Sequence, residues 1–381
     1  MFIKVINFLY KLLTSHFILF HIANNSIIVY TGSKIYIEYS IPSDMAQPKY
    51  RIATIGSHSA LQIFKGAHDE GFKTIAVCKK GSERPYKMFN SADEIITLNS
   101  YRDFPKIQNE LIKKNAIIIP HGSFVTYMGY EEVEKLKVNY YGNKKILKWE
   151  SDRYLERQWL TKSGLKVPLL FKKPEDIDRL VIVKFMGAEG GRGYFLAKDK
   201  KDFYRKIKPY QLRKYVLQEY IIGVPLFIHY FYSSLTNEIE IMGCDIRYES
   251  NVDSLGRISA RDQIVLPKID PSYVIVGNIP VVVRESFLPR LIEMGEDVVK
   301  TSKKLAPPGL FGPFCLETIL TPEEEIFVFE ISARIVAGTN PFIEGSPYTW
   351  LKYNKPMSTG RRIAIEIKNA MNKNQMKKIL G

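Results

Sequence analysis

The pattern of hydrophobic and polar positions alternates between two periods before residue 120. Short apolar runs, typical of buried strands, occupy Tyr50–Ile55, Thr74–Val77, Glu94–Leu98 and Ala116–Ile119. Between them, apolar residues recur at helical spacing in Ser59–Glu70 and Phe104–Lys114. Because strands alternate with helices, the sequence predicts a small parallel α/β domain, which we place at residues 45–147.

A different pattern begins near residue 148. The charged stretch Leu147–Ser163 predicts a helix that Gly164 ends. Strand-like runs then follow one another at Val181–Lys184, Tyr215–Tyr220, Phe227–Ser233, Glu240–Ile246, Phe311–Glu317 and Ile326–Glu330. Further helices are predicted at Lys201–Ile207, Arg284–Leu305 and Met357–Met371. Successive strands indicate an antiparallel sheet, so we place a second domain at residues 148–381.

Residues 1–44 fit neither pattern. Phe2–Ile22 is apolar, but lysines and histidines interrupt it, so no membrane span is predicted. Ile27–Tyr30 and Ile35–Tyr39 have the composition of strands without a helix between them. We expect translation to begin at Met45, with residues 1–44 an upstream or nonessential extension.

Two polar segments follow strands of the predicted parallel sheet. Gly56-Ser57-His58-Ser59 comes after the first strand, and Pro120-His121-Gly122-Ser123 comes after the fourth. Ligands of such sheets bind beyond the carboxyl ends of the strands, and helix starts favour phosphate. His58, Ser59 and Ser123 are therefore candidate substrate contacts, although Ser59 is also a plausible helix N-cap.

A lysine and a glycine-rich loop follow an apolar strand at residues 181–193. Lys184 ends the strand, and the loop contains Gly187, Gly190, Gly191, Arg192 and Gly193. Glycines let backbone N–H groups surround phosphate oxygens, and the lysine adds a positive charge. The loop has neither the Walker nor the Rossmann pattern, which leaves a nucleotide-covering flap or a plain flexible hairpin.

Two glutamates end neighbouring apolar strands. Glu317 closes the run that begins at Phe311, and Glu330 closes the run that begins at Ile326. Either could be a solvated residue at a strand end. Together, carboxylates on adjacent strands predict a site for Mg²⁺, with Mn²⁺ as an alternative, that also holds phosphate oxygens.

The net charge indicates which kind of partner the protein binds, and the cysteines indicate the redox state of its compartment. The formal net charge of +15 favours anionic partners such as nucleotides. No nucleic-acid-binding motif accompanies it, so we predict no nucleic-acid partner. Cys78, Cys244 and Cys315 show no metal or redox spacing, which fits a reducing cytoplasm.

The order of these parts resembles the ATP-grasp superfamily. An α/β domain precedes a lysine strand with a glycine flap, then Gln218-Glu219-Tyr220, then two carboxylates. The resemblance implies an ATP-grasp fold of two subdomains that clamp ATP and convert a carboxylate into an acyl phosphate. Glu330-Ile331-Ser332-Ala333-Arg334 stands where many members have Glu-x-Asn-x-Arg, and Ser332 departs from that pattern.

A closer resemblance, from about Tyr50 to Lys368, is to the archaeal PurP family. It rests on the two polar segments of the parallel sheet and on Tyr141-Gly142-Asn143-Lys144, Arg247-Tyr248-Glu249-Ser250-Asn251-Val252-Asp253, Val276-Gly277-Asn278-Ile279-Pro280 and Gly312-Pro313-Phe314-Cys315-Leu316-Glu317. That family implies an ATP- and formate-dependent ligase that forms FAICAR from AICAR in purine synthesis. It also implies a homo-oligomer, a trimer or a hexamer.

The resemblance also assigns roles to individual residues. His58, Ser123 and Asn251 match AICAR contacts, Glu219 and the adjacent Tyr220 lie at the ATP hinge, and Glu317 and Glu330 match the metal ligands. Formate would attack the γ-phosphate under the flap, and the AICAR amine would then attack formyl phosphate.

Two arginines are candidate catalytic residues of that reaction, Arg247 and Arg334. Arg247 could instead be a salt-bridge partner of Glu249 or Asp253. His229 lies in a strand and could be a hydrogen-bonded core histidine. Alternative functions are a related ATP-grasp ligase with another carboxylate or acceptor, an inactive nucleotide-binding paralogue, and a basic nucleic-acid-binding module.

Overall fold

The computed structural model describes the backbone of 18–23, 26–31 and 34–40, and residues 49–185, 194–210, 213–250, 252–265 and 274–381. Met1–Lys49 and Tyr50–Gly381 are two separate compact units. In the first unit, β1 (Ile18–Ala23), β2 (Ser26–Thr31) and β3 (Lys34–Ser40) form an antiparallel sheet in that order. The strands predicted near residues 27–30 and 35–39 are confirmed, and β1 is an addition.

A parallel sheet opens the second unit, as the alternating pattern predicts. Its strands are β4 (Arg51–Ile55), β5 (Thr74–Lys79), β6 (Glu94–Leu98), β7 (Ala116–Ile118) and β8 (Asn139–Tyr140), in the order β6-β5-β4-β7-β8. Its helices are α1 (Ala60–Asp69), α2 (Arg84–Met88), α3 (Gln108–Lys113), α4 (Gly122–Met128) and α5 (Tyr130–Glu134). The helix predicted at Phe104–Lys114 is a 3-10 turn over Tyr101–Ile107 followed by α3, because Pro105 lies inside the segment.

The charged stretch predicted as one helix forms two. They are α6 (Ile146–Ser151) and α7 (Arg153–Lys162). Asp152 between them has extended backbone angles (φ −97°, ψ 113°), and its side chain accepts from the N–H groups of Tyr154 and Leu155. Asp152 therefore ends one helix and caps the next, which fixes the direction of α7.

Two antiparallel sheets form the rest of the unit. The smaller has the strand order β11-β10-β12-β9 and consists of β9 (Leu170–Phe171), β10 (Val181–Phe185), β11 (Tyr194–Ala197) and β12 (Tyr215–Glu219). The larger has the order β15-β14-β13-β16-β17 and consists of β13 (Val224–Ser233), β14 (Glu238–Glu249), β15 (Ile275–Val281), β16 (Gly312–Leu320) and β17 (Ile326–Ser332). The remaining helices are α8 (Lys200–Ile207), α9 (Val252–Leu255), α10 (Ala260–Val265), α11 (Leu288–Leu305), α12 (Pro347–Tyr353) and α13 (Thr359–Asn372).

The alternation of side chains along β13 separates a core face from a face that bears the polar groups. On the core face, Tyr230 donates a hydrogen bond of 2.8 Å to the Leu291 carbonyl of α11. On the other face, Phe227 is paired in register with Glu317 of β16. Among the described residues, no helix is long and apolar enough to cross a membrane.

Candidate functional site

Two glutamates lie side by side on the face of the large sheet that carries Phe227. Glu317 and Glu330 are cross-strand partners of β16 and β17, as the sequence predicts. Arg247 donates to both oxygens of Glu317, at 2.8 and 3.1 Å, and its guanidinium lies 3.8 Å from the centre of the Phe227 ring. Arg247 therefore pairs with Glu317 rather than with Glu249 or Asp253, the partners considered from sequence.

The surroundings of Glu330 differ from those of Glu317. The Glu330 side chain is solvent-accessible, yet protein surrounds it, and this burial together with the charge of Glu317 raises the pKa of Glu330 to about 7. Within the described ranges no third His, Cys, Asp or Glu completes a protein-only metal cluster. Two crowded carboxylates nonetheless fit Mg²⁺, which commonly binds one or two carboxylates and takes its other ligands from water and substrate phosphates.

Lys184 approaches the carboxylates from the small sheet. Its ammonium lies 3.2 Å from the Gln218 side-chain oxygen and 5.9 Å from the centre of the Phe329 ring. Burial lowers the pKa of Lys184, whereas the charge of Glu330 opposes that effect. The predicted flap residues Gly187, Gly190, Gly191, Arg192 and Gly193 lie outside the described residues.

Glu219 and Tyr220 stand at the end of β12, where the chain passes towards the large sheet. Glu219 accepts 3.0 Å hydrogen bonds from the Leu169 N–H and from Arg179. The Tyr220 N–H donates to the Leu180 carbonyl. Both residues are therefore fixed at the end of β12, and their place at an ATP hinge and their contact with ATP stay predictions.

Two histidines stack beyond the carboxyl ends of β4 and β7 in the parallel sheet, a place here called the histidine edge. The rings of His58 and His121 are parallel, with centroids 5.6 Å apart. His121 is fully buried, lies 2.9 Å from the Ile55 carbonyl through Nε2, and accepts from the Ser123 N–H through Nδ1. This arrangement places the proton on Nε2, and His121 serves as the N-cap of α4. Burial lowers the pKa of His121 to about 4.

The backbone of His58 is in the left-handed region, with φ at +55°, which is rare for residues other than glycine. Burial first, and then the charges of His121 and Arg334, lower its pKa to about 3, so the imidazole is neutral. Ser123 is held 3.1 Å from Ser57, hydroxyl to hydroxyl. Backbone strain at a polar cleft residue is typical of functional sites.

Ser59 makes a different contact from the one that a capping residue makes. It precedes α1, but its buried hydroxyl donates to the Val336 carbonyl at 3.0 Å instead of capping the helix. Asn340 donates to the His58 carbonyl at 3.3 Å. The segment after β17 therefore supports the histidine edge. Asn251, the predicted contact from the second domain, lies outside the described residues.

Arg334 joins the sheet edge to the carboxylates. A carbon placed on Gly122 would lie 3.0 Å from His58 Nε2 and 3.5 Å from the Arg334 guanidinium carbon, so His58 and Arg334 face the same point. Arg334 forms a 2.7 Å ion pair with Glu150 of α6. Glu150 also accepts from the Ala333 N–H at 2.9 Å.

The carboxylates of α6 and α7 were not predicted as site residues. Like Glu150, Glu156 accepts a hydrogen bond from a backbone N–H. The donor is Ile331 of β17, at 2.8 Å. Burial and the charge of Glu330 raise the pKa of Glu156 well above its ordinary value. The sequence shows only two acidic residues six positions apart in a charged stretch, and such residues usually lie on the solvated surface of a helix.

A buried polar trio lies in the same sheet. His229 and Asp245 are 2.6 Å apart, and Asn278 donates to the other Asp245 oxygen at 2.6 Å. His229 is thus a core histidine bonded through Nε2, while its Nδ1 has no hydrogen-bond partner in the described part of the chain. Asn278 belongs to the Val276–Pro280 motif, so that motif supplies a structural contact.

Two family models match the chain. One, described as "Protein of unknown function (DUF1246)", matches residues 52–171, and the other, "Domain of unknown function (DUF1297)", matches residues 198–381. The predicted boundary at residues 147 and 148 lies inside the first match, and residues 172–197 separate the two matches.

Curated relatives match almost over their full length. A 5-formaminoimidazole-4-carboxamide-1-(beta)-D-ribofuranosyl 5'-monophosphate synthetase of Pyrococcus abyssi is 54% identical over 338 residues, 87% of this chain and 98% of the relative. A synthetase of the same name from Methanocaldococcus jannaschii is 48% identical over 342 residues, 87% and 94% of the two chains.

Solved structures are also similar to this chain, one in both sequence and fold and one in fold alone. The IMP biosynthesis protein PurP from Thermococcus kodakaraensis aligns with a TM-score of 0.69 at 30% identity, over 87% of this chain and all of that one. An N5-carboxyaminoimidazole synthetase from Staphylococcus aureus, solved with ADP, aligns over 77% of this chain and 73% of its own, with a TM-score of 0.58 at 19% identity, and supports the fold alone. The predicted architecture, a parallel α/β domain followed by an ATP-grasp fold, is confirmed. The chain belongs to the PurP family of 5-formaminoimidazole-4-carboxamide ribonucleotide synthetases.

Proposed function

We propose that this chain is an ATP- and formate-dependent ligase that formylates AICAR to FAICAR. The observation that carries the proposal is that His58 and Arg334 both lie next to Gly122. Because Arg334 directly follows β17, the histidine edge lies near that strand and near Glu330, the proposed metal ligand on it. The names and high identity of the relatives support the same activity.

ATP binds between the two antiparallel sheets in this proposal. Lys184 neutralises phosphate charge, Glu219 and Tyr220 contact the nucleoside end, and the flap covers the phosphates through Gly187, Gly190, Gly191, Arg192 and Gly193. Glu317 and Glu330 hold Mg²⁺, or Mn²⁺ in its place, and the metal would supply charge neutralisation for the triphosphate.

AICAR binds at the histidine edge through His58, Ser59, Ser123 and Asn251. Neutral His58 contributes a hydrogen bond rather than a charge, and the start of α4 contributes backbone N–H groups near Ser123. The Ser59 hydroxyl donates to the Val336 carbonyl and lies 3.1 Å from His58 Nδ1, so besides contacting AICAR it holds His58 in place.

The reaction proceeds in two displacements. A formate oxygen attacks the γ-phosphorus, ADP leaves, and formyl phosphate forms. The AICAR amine then attacks the formyl carbon, phosphate leaves with that oxygen, and the amine loses a proton. Each candidate arginine is paired with a glutamate, Arg247 through both oxygens of Glu317 and Arg334 with Glu150. Arg334 is the better candidate for formyl phosphate because its ion pair is made through Nη2, whereas two nitrogens of Arg247 bind Glu317. Holding both reactants in one cleft supplies much of the acceleration.

The test is to mix purified protein with ATP, Mg²⁺, formate and AICAR while following ADP and FAICAR. We expect both products to form together over many turnovers, and no sustained turnover when formate or AICAR is omitted. ADP release with another carboxylate or acceptor, and not with this pair, would support the related-ligase alternative instead. Tight ATP binding without turnover under any of these conditions would support the inactive paralogue.

The proposal also includes two further predictions. The enzyme is expected to be a homo-oligomer, a trimer or a hexamer, and to work in the cytoplasm.

A further inference from the structure

A small cavity lies between the parallel sheet and the start of β16. Its lining includes Pro120, Tyr140, Leu147, Phe311, Pro313 and Arg334. The cavity is mostly apolar, but polar side chains of both domains meet there, among them Tyr140, Asn143 and Arg334. One of them, Arg334, belongs to the proposed site, so whatever occupies the cavity is in contact with that site.

Two residues that line this cavity carry a buried hydrogen-bond donor for which the described residues offer no acceptor. The Tyr140 hydroxyl and the Arg334 Nε–H are both buried and lack a partner among the described residues. Tyr140 is only 1% exposed. An unsatisfied buried donor costs about 1–3 kcal/mol, and a donor on a charged group costs more. Two such donors on one cavity therefore indicate an acceptor that both can share.

The size and electrostatics of the cavity select the acceptor. It offers about 10 Å³ to the centre of a water molecule, which is about the space that one ordered water needs. The positive charge of Arg334 is already neutralised by Glu150 at 2.7 Å. The acceptor in this cavity therefore need not carry a charge, and a single water satisfies that requirement.

We propose that one ordered water occupies this cavity, accepts from Tyr140 and Arg334, and makes Tyr140 a positioning residue for the Arg334 guanidinium. Glu150 fixes the Nη2 side of the guanidinium, and the water fixes its Nε edge. With two edges fixed, the plane of the guanidinium is set relative to His58 and the cleft. The consequence for catalysis rests on the proposed function, whereas the water site does not.

The functional test is Tyr140→Phe. The Tyr140 hydroxyl has no protein partner in the described structure, so its removal breaks no protein hydrogen bond and the variant should fold. We expect kcat for FAICAR formation to fall at least tenfold, with KM for ATP and AICAR changed less than twofold. An unchanged kcat, or a change confined to KM, contradicts the positioning role.

Tyr141→Phe is the matched control. It deletes a hydroxyl from the next residue, which also lines the cavity, but the Tyr141 hydroxyl is not one of the buried polar atoms without a partner and lies beside Gly312. We expect its kcat to stay within twofold of the wild type. An equal fall in both variants would mean that loss of a buried hydroxyl, and not the water link, is responsible.

A high-resolution crystal structure tests the water directly. We expect one water within about 3.2 Å of both Tyr140 Oη and Arg334 Nε, and its loss or displacement in Tyr140→Phe. An empty cavity, or a formate ion there in crystals soaked with formate, overturns the inference. If the wild type makes no FAICAR while the water is present, the proposed function fails and the water site stands. If the wild type is active and Tyr140→Phe is equally active, the positioning role alone fails.

Discussion

The two glutamates of the proposed metal pair have different surroundings. Arg247 binds both oxygens of Glu317, which is 4% exposed, whereas the cleft exposes Glu330. A cation entering the cleft therefore meets Glu330 first and has to share Glu317 with Arg247. Phe227 stacks on Arg247 and limits how far the arginine can withdraw.

Glu330→Gln tests that difference between the glutamates. Glutamine keeps the size of the side chain and removes the charge that holds the cation, so turnover should fall on the order of 100-fold or more. AICAR binding, measured by calorimetry without ATP, should stay within twofold, because the histidine edge is untouched. His58→Ala is the converse variant and should weaken AICAR binding. Loss of AICAR binding in Glu330→Gln would place this glutamate in the wrong site.

His121 makes the stability of the fold depend on pH. Its pKa is about 4 in the folded chain because of burial, against 6.5 for an unperturbed histidine. Unfolding therefore takes up a proton between these values, and stability falls as pH decreases from 6.5 to 4. We expect His121→Asn, which retains an N-cap acceptor, to reduce this loss by about 1–3 kcal/mol. Melting temperatures of both proteins from pH 7 to 4 check it, and parallel curves would contradict it.

The helix pair α6 and α7 shows how one side chain can divide an element. Asp152 accepts from Tyr154 and Leu155 at the start of α7, the helix whose Glu156 holds β17. Asp152→Ala should lower the free energy of unfolding by about 1 kcal/mol, and Asp152→Asn should retain most of it. Urea unfolding of the three proteins measures both effects. Equal stability of the alanine and asparagine variants would show that the cap contributes nothing.

The 3-10 segment Ala337–Phe342 packs against the polar trio through a glycine. A Cβ on Gly338 would overlap Asp245 Oδ1 and lie 2.7 Å from His229 Nε2, and Asn340 of the same segment supports His58. Gly338→Ala should therefore cost about 1–3 kcal/mol of stability and weaken AICAR binding. Gly277→Ala in β15 is the matched control, since nothing lies within 4 Å of its added carbon. Equal melting temperatures for the two variants would contradict the packing argument.

The elements that the sequence predicts well are those set by local pattern. Alternation and apolar runs are local, so β16, β17 and the placement of Glu317 beside Glu330 could be predicted. The Arg334–Glu150 pair and the Tyr140 cavity could not, because they join residues more than 180 positions apart. The break at Asp152 was missed for a local reason: an aspartate in a charged helix looks like a surface residue until its backbone angles are known.

At the scale of the whole molecule, the parallel domain and the sheets are joined by many specific contacts. His121 forms a backbone bridge with Ile335, and Gln62 bonds to Thr339. On the other side, α1 and α13 cross at Gly66 and Gly360, where neither helix has room for a Cβ. Neither domain is therefore complete without the other, since the ends of the cleft are built from both.

This interdependence predicts how the second unit, Tyr50–Gly381, unfolds. Because the parallel domain and the sheets share these contacts, calorimetry should give one transition for the unit, with equal calorimetric and van't Hoff enthalpies. AICAR at 100 times its Kd should then stabilise the whole unit by about 2.7 kcal/mol, although it binds mainly at the histidine edge. His58→Ala should lose this shift at the same AICAR concentration and still unfold in one transition. Two transitions, of which AICAR moves only the first, would show that the domains are independent and that their alignment in the cleft depends on ligand instead of on the fold.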